Sequence, residues 1–251
     1  MENKRIIAVS LAIIIGLSIS AAILGRAIER FKKEDRYISV KGFSEREVKS
    51  DFAVWTIRTR IANNDLSEGS RIIDETKNKV IDFLLKNDIK QNEIIQKDLI
   101  VNDKKAQDYG SNTIGDSYRF IIDKVIQVRS ANVDNIQKVS RMTDELLKAG
   151  VVISNRNDYD ASVKFIFTKL NDIKPAMLTE ATRNAKNAAI QFAKESNTKL
   201  GNLRKASQGL FSIIDRDEFL TGQTDGTYYP MSSGDLFKKV RVVVNVDYSI
   251  K

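Results

Sequence analysis

Hydrophobic positions in this chain fall into two regimes: one unbroken run at the N-terminus and, beyond it, short periodic segments set among charged residues. The run is IIAVSLAIIIGLSISAAILG, Ile6 to Gly25, 20 residues without a charge. At ~1.5 Å rise per residue a helix of that length spans about 30 Å, the thickness of a bilayer's hydrocarbon core. Three readings compete. A cleaved secretory signal has a shorter apolar core and small residues at its cleavage site, which Ser20 and Ala22 would supply. An uncleaved signal anchor accounts better for the apolar run continuing through Ile23 and Leu24 to Gly25, with a basic stretch behind it. A core helix apolar on every face would have to be enclosed by protein. The signal anchor is the expectation adopted.

Beyond the run, period-2 alternation marks strands. Ala53, Trp55, Ile57 and Ile61 share a face of 48–62, and Tyr118, Phe120, Ile122, Ile126 and Val128 share a face of 117–129. The clearest strand is the last. Val240, Val242, Val244, Val246, Tyr248 and Ile250 point one way, against Lys239, Arg241, Asn245, Asp247 and Ser249. Further strands are predicted at 37–43, 94–102, 161–169 and 203–214. Three helices separate them. The first opens on Asp65 and Glu68 in capping-box spacing, buries Ile73, Val80 and Leu84, and ends near Asn87. The second covers about Asn132 to Ala149, with Ile136, Val139, Thr143 and Leu146 inward and Gly150 in the left-handed terminal turn. The third starts after Asn171 and Asp172 with Pro175 in its first turn, and its inner stripe reads Met177, Ala181, Ala185, Ala188, Phe192. The order ββαββαβαββ predicts an α+β fold with antiparallel sheets and a ferredoxin-like βαββαβ section. The final helix and hairpin either complete that sheet or form a second lobe.

Residues 37–251 are numerous enough for one large or two small domains. The whole chain has 41 basic and 33 acidic residues; seven and four of them lie in 1–36, leaving an excess of five beyond. That excess is dispersed, and without an RNA-binding aromatic signature or a recognition helix, no nucleic acid is expected as a partner. The chain has no cysteine and no histidine, which removes disulfides, thiol nucleophiles, Cys/His zinc sites and His-based triads. Paired carboxylates or a Ser/Lys dyad are left for an enzyme, the carboxylates being Asp215, Asp217 and Glu218, or Asp158 and Asp160. Arg216 interrupts the first group and no EF-hand glycine accompanies it, so both groups read as solvated turns. Ser44 and Ser207 have no catalytic motif around them. No enzyme, cofactor or metal is expected. Trp55, the single tryptophan, reads as core or as the lining of a ligand groove, and Lys239 and Arg241 read as guards of an exposed sheet edge.

Two long hairpin loops, about 103–116 and 215–235, carry aromatic residues. Tyr109, Phe219, Tyr228 and Tyr229 are candidate interface residues, against the alternative that these loops fold back on their own sheet.

The stretch NDIKPAMLTEATRNAKNAAIQFAKESNTKLGNLRKASQGLFSI, 171–213, resembles the signature region of the SIMPL domain family: an Ala-rich helix with Arg at a fixed step, then a Gly-containing turn and a strand. Here these are Ala181, Arg183, Ala185 and Gly201. The opening ISVKGFSEREVKSDFAVW is similar in its glycine turn (Gly42) and its Asp-x-Ala strand start (Asp51, Ala53). NDIKQNEIIQKDLIV and the closing KKVRVVVNVDYSI also fit, so the resemblance covers about 37–251. In place of a glycine that many members have after the Ala-rich helix stands Asn197, and the loop 215–235 is longer than in many relatives.

The resemblance implies no established catalytic residue. It implies an exported bacterial envelope or periplasmic protein, in some members linked to oxidative stress and in at least one assembled into a large ring-like oligomer. It also decides orientation. Arg26, Arg30, Lys32, Lys33 and Arg36 outnumber Lys4 and Arg5, so charge counting alone favours an outward N-terminus. An exported family implies the reverse: residues 1–5 in the cytoplasm, 6–25 as a single inner-membrane anchor, 26–36 among lipid headgroups, and 37–251 outside the cytoplasm. The expected function is self-assembly or partner binding in the envelope, with a homo-oligomer and other envelope proteins as partners. The alternatives are a monomeric module for an anionic envelope ligand and a carboxylate-dependent hydrolase.

Overall fold

The structure is a computed structural model that describes residues 14–26, 36–106, 118–154, 163–216 and 234–250. The chain is α+β, and every strand pairing given by register is antiparallel. A helix α1 (14–26) precedes β1 (Tyr37–Lys49), β2 (Phe52–Asn63), α2 (Leu66–Lys86), a short 3₁₀ turn (Gln91–Glu93), β3 (Ile94–Asp103) and β4 (Phe120–Ser130). Then come α3 (Val133–Ser140), α4 (Thr143–Lys148), β5 (Val163–Ile166), α5 (Leu170–Glu195), β6 (Leu200–Gln208), β7 (Ser212–Asp215) and β8 (Phe237–Ile250). One sheet has the order β1-β8-β6, with β7 also pairing β8; the other has the order β3-β4-β2-β5.

The chain divides into two compact units: 1–45, 174–211 and 241–251 form the first, and 46–173 and 212–240 the second. The second unit contains the ferredoxin-like section. In β2-α2-β3-β4-α3/α4-β5 the two β-α-β passages place β5 beside β2 and β3 beside β4, with Trp55 opposite Val128 and Val163, and Ile57 opposite Ile126. Alternation along β2 and β4 sends Ala53, Trp55, Ile57, Ile126 and Val128 into a core that also takes Val80 and Leu84 of α2, Ile136 of α3 and Leu146 of α4. In the first unit, β8 buries Val242, Val244, Val246 and Tyr248, and α5 buries Met177, Ala181, Ala185, Ala189 and Ala193.

Five local expectations are corrected. Helix 132–149 is two helices, because Arg141 and Met142 donate to the carbonyls of Lys138 and Val139 three residues back, which tightens and ends the first helix. Strand 203–214 is also two. Gly209 donates to the Val243 carbonyl (2.8 Å), the chain breaks from the ladder at Leu210, and the 14-residue β8 has room for both pieces. The buried stripe of α5 steps by four throughout, so Ala189 and Ala193 are inside, Ala188 is half-buried and Phe192 is exposed. α5 begins at Leu170, which puts Pro175 in its second turn. Asp65 caps α2 by accepting from the backbone of Ser67 and Glu68, but Glu68 bonds Arg71 and Asn63 takes the Asp65 N–H, so no reciprocal box forms.

No helix among the described residues is long and apolar enough to cross a membrane; of the run 6–25, residues 6–13 lie outside the described residues.

Candidate interaction surfaces

The residues that carry the family resemblance are close contacts inside single units. Gly42 of β1 lies against α5: a Cβ there would stand 2.1 Å from the Ala181 carbonyl oxygen and 2.5 Å from the Ala185 nitrogen. Gly42, Ala181 and Ala185 are therefore one contact, in which any larger residue would separate helix from strand. On either side, Ser44 donates to Glu180 (2.9 Å) and Asn184 donates to the Phe43 carbonyl (3.0 Å). Gly201 leaves room for Ser249, whose Oγ would meet its Cβ at 2.4 Å and instead accepts from the Asn202 N–H (2.9 Å). Asp51 accepts from both the backbone N–H and the hydroxyl of Thr168 (each 2.7 Å), fastening the start of β2 to the chain after β5. Burial raises the Asp51 carboxyl, but the two Thr168 hydrogen bonds, its own backbone N–H and the nearby Lys169 outweigh that and hold it below its ordinary value. Ala53, two residues on, is fully buried. Arg183 is exposed. Asn197 takes the left-handed conformation (φ 52°) that a glycine would supply, as does Gly150 (φ 78°).

The candidate catalytic groups do not converge. Asp158, Asp160, Asp217 and Glu218 lie outside the described residues. Asp215 is bound to the ammonium of Lys238, which is 2% exposed; Ser44 is buried on Glu180, and Ser207 is exposed on β6. Among the described residues no three acidic side chains gather as a metal site would require. Sequence reasoning missed Lys238, although a signal existed: it occupies the buried parity of β8, one step before Val240. Around this pair Arg216 lies over the Phe237 ring (5.2 Å) and reaches Glu47 (3.4 Å) and Asp235 (3.7 Å), an ionic cluster at the base of the 217–233 segment.

Trp55 is core, 2% exposed, and also borders a cavity of about 460 Å³ shared with Ser140, Thr143, Asp144, Leu147 and Val151 to Ile153. Lys239 and Arg241 do not guard an edge, because β8 lies between β1 and β6. Arg241 instead covers the Phe43 ring (5.4 Å) and pairs with Glu45 (3.3 Å).

Among the described residues, three stretches with exposed apolar side chains bear on interaction. Along α1, Ile14, Ile15, Leu17, Ile19, Ile23 and Leu24 are all half to two-thirds exposed, and among the described residues nothing comes within 4 Å of a Cβ placed on Gly16 or Gly25. β6 is an end strand of its sheet, as is β1, and is exposed on both faces from Asn202 to Gln208, with Leu203 exposed within it and Leu210 94% exposed just after it. β3 forms the rim of the other sheet, and beyond the bulge between Gln96 and Leu99 it exposes Leu99, Ile100 and Val101. The four aromatic interface candidates, Tyr109, Phe219, Tyr228 and Tyr229, lie outside the described residues.

Compared with known proteins, residues 38–248 match a family model, SIMPL, described as a protein of unknown function (DUF541). No curated protein matches the chain.

Proposed function

Because this chain belongs to the SIMPL family, we propose that it is a membrane-anchored protein of the cell envelope, with its SIMPL domain outside the cytoplasm, that works by self-assembly and partner binding, not by catalysis. The observation that carries the reading is α1. Six large aliphatic side chains are exposed around it, and among the described residues none comes within 4 Å of a Cβ placed on its glycines. Water is a poor environment for such a helix, at about 25 cal/mol for each Å² of apolar surface, whereas hydrocarbon is a good one. With 6–13 continuing the uncharged run, the segment is long enough to span a bilayer.

Self-association is supported by two of the end strands, β3 and β6. Strand edges are templates for another strand, but charge and bulges blunt them, and β3 and β6 both carry bulges, so the support comes from the exposed apolar side chains there, Leu99, Ile100 and Val101 on β3 and Leu203 and Leu210 at β6, and not from open backbone. β6 carries Arg204 and Lys205 at its centre, so like charges would oppose if β6 met a second β6 in antiparallel register. That favours a heterologous contact, in which one surface of a copy meets a different surface of the next. Confinement to a membrane raises the local concentration and lets weak contacts suffice. Tyr109, Phe219, Tyr228 and Tyr229 are further proposed contact residues.

Flotation tests the anchoring. Full-length protein mixed with neutral phosphatidylcholine vesicles should float with them at high salt and alkaline pH, and a variant lacking 6–25 should remain at the bottom of the gradient. Release of the full-length chain under those conditions would contradict the reading.

A further inference from the structure

The first unit has a sheet face that nothing described covers. Gly42 meets α5 on one side of β1, so Tyr37, Ser39, Lys41 and Phe43, of the other parity, stand on the opposite side, where Tyr37 and Phe43 are 54% and 52% exposed. Arg204 of β6 lies over the Tyr37 ring (5.3 Å) and Arg241 of β8 over the Phe43 ring. Lys205 joins them: it is opposite Asp247, which shares the parity of Arg241 and not that of the buried valines. Against four cations the face sets two carboxylates, Glu45 on Arg241 and Asp247 opposite Lys205.

Aromatic rings interleaved with arginine and lysine are the composition of surfaces that sit at lipid headgroups: rings enter the interface and cations attract anionic lipid. Stacking occupies the flat face of a guanidinium, whereas a phosphate is held in its plane, so the two interactions are compatible on one arginine. Chain length keeps the start of β1 within reach of the bilayer that the proposed anchor would cross. Ten residue steps separate the end of α1 at 26 from Arg36, a distance of at most about 35 Å even when fully extended. Arg36 also accepts from the Ile250 N–H, which joins the start of β1 to the end of β8.

We infer that the open face bearing Tyr37, Phe43, Lys41, Arg204, Lys205 and Arg241 docks on anionic lipid headgroups, laying the first unit against the membrane. This rests on the anchoring proposed above, and one experiment separates the two. The absence of cysteine allows single labelling sites in the full-length chain. A fluorophore on Ser207→Cys, on the open face beside Asn245, is compared with one on Lys186→Cys of α5, on the other side of the sheet. Both proteins are reconstituted in phosphatidylcholine vesicles, with or without phosphatidylglycerol, that contain a headgroup-spin-labelled lipid as quencher.

The expected result is stronger quenching at 207 than at 186 when phosphatidylglycerol is present, weakened by salt. Replacing Lys41→Gln and Lys205→Gln should reduce the docked fraction relative to the undocked by about fivefold per lysine, with flotation unchanged. Equal quenching at the two positions, or quenching at 207 indifferent to phosphatidylglycerol, overturns the docking and leaves the anchor standing. Flotation only with phosphatidylglycerol at low salt overturns the anchor and keeps the docking. Failure to float with either vesicle overturns both, whereas a soluble polyanion that binds the chain while phosphatidylglycerol does not overturns the docking alone.

Discussion

A single methyl group at Gly42 would enter the backbone of α5. Because the atoms it meets are the Ala181 carbonyl and the Ala185 amide and not flexible side-chain ends, Gly42→Ala should destabilise the fold at the upper end of the ~1–3 kcal/mol range for overpacking, measured by urea unfolding. An equal midpoint in the variant would show that the contact relaxes freely. Asp51 supplies a second residue-scale expectation. Its carboxyl titrates lower in the folded chain than in the unfolded one, so the stability it contributes is fully present above about pH 4 and is lost as pH falls through the lower folded value. Asp103, held low by its bidentate partner Arg119, and Glu68, held low by Arg71, add to the same acid limb. Asp51→Asn should therefore reduce stability at pH 7 and flatten the fall in urea midpoint on acidification. A variant whose acid limb is as steep as that of the parent would contradict the role given to the Thr168 hydrogen bonds.

At the scale of elements, the base of the β7–β8 connection is held by a buried ion pair. Taking away one member of such a pair strands the other, at a cost of about 3–5 kcal/mol, whereas replacing both with apolar groups is often neutral. Asp215→Ala should therefore lower stability by about that amount, and the double change Asp215→Leu with Lys238→Met should recover most of the loss. Additive losses in the cycle would mean the pair is not coupled.

Elements were legible where a single physical signal dominated. β8 was plain because alternation continued over its whole length, and the ends of α2 and α5 were marked by Asn87 and Asn197. Breaks within elements were not legible: α3 and α4 part at Arg141 and Met142, residues with no turn chemistry of their own, through hydrogen bonds that form only in the fold. The inner face of α5 was misjudged because Phe192 is the more hydrophobic candidate, whereas close approach to Gly42 selects for small residues and continues the stripe through Ala189 and Ala193. Pairing is invisible to alternation as well, so Arg241 looked like an edge guard when it covers Phe43 inside a sheet. Of the surface, the apolar N-terminal run was read directly from sequence, but the exposed rims β3 and β6 appear only once the strand orders are known.

For the whole molecule, the proposal joins an apolar anchor to a domain with exposed apolar side chains on two of its end strands, β3 and β6. The competing account, a monomeric module that captures an anionic ligand on a basic face, predicts binding that weakens steeply with salt, since charge attraction is screened within about 8–10 Å at physiological ionic strength. Assembly through apolar rims predicts little salt dependence. Light scattering of the full-length chain in detergent, corrected for the micelle and run at low and high salt, tests this most directly. The account predicts a discrete oligomer at both salt concentrations that falls to a monomer when Leu203→Lys and Leu210→Asn are introduced together at the β6 rim; a monomer at both salt concentrations in the parent chain would contradict it.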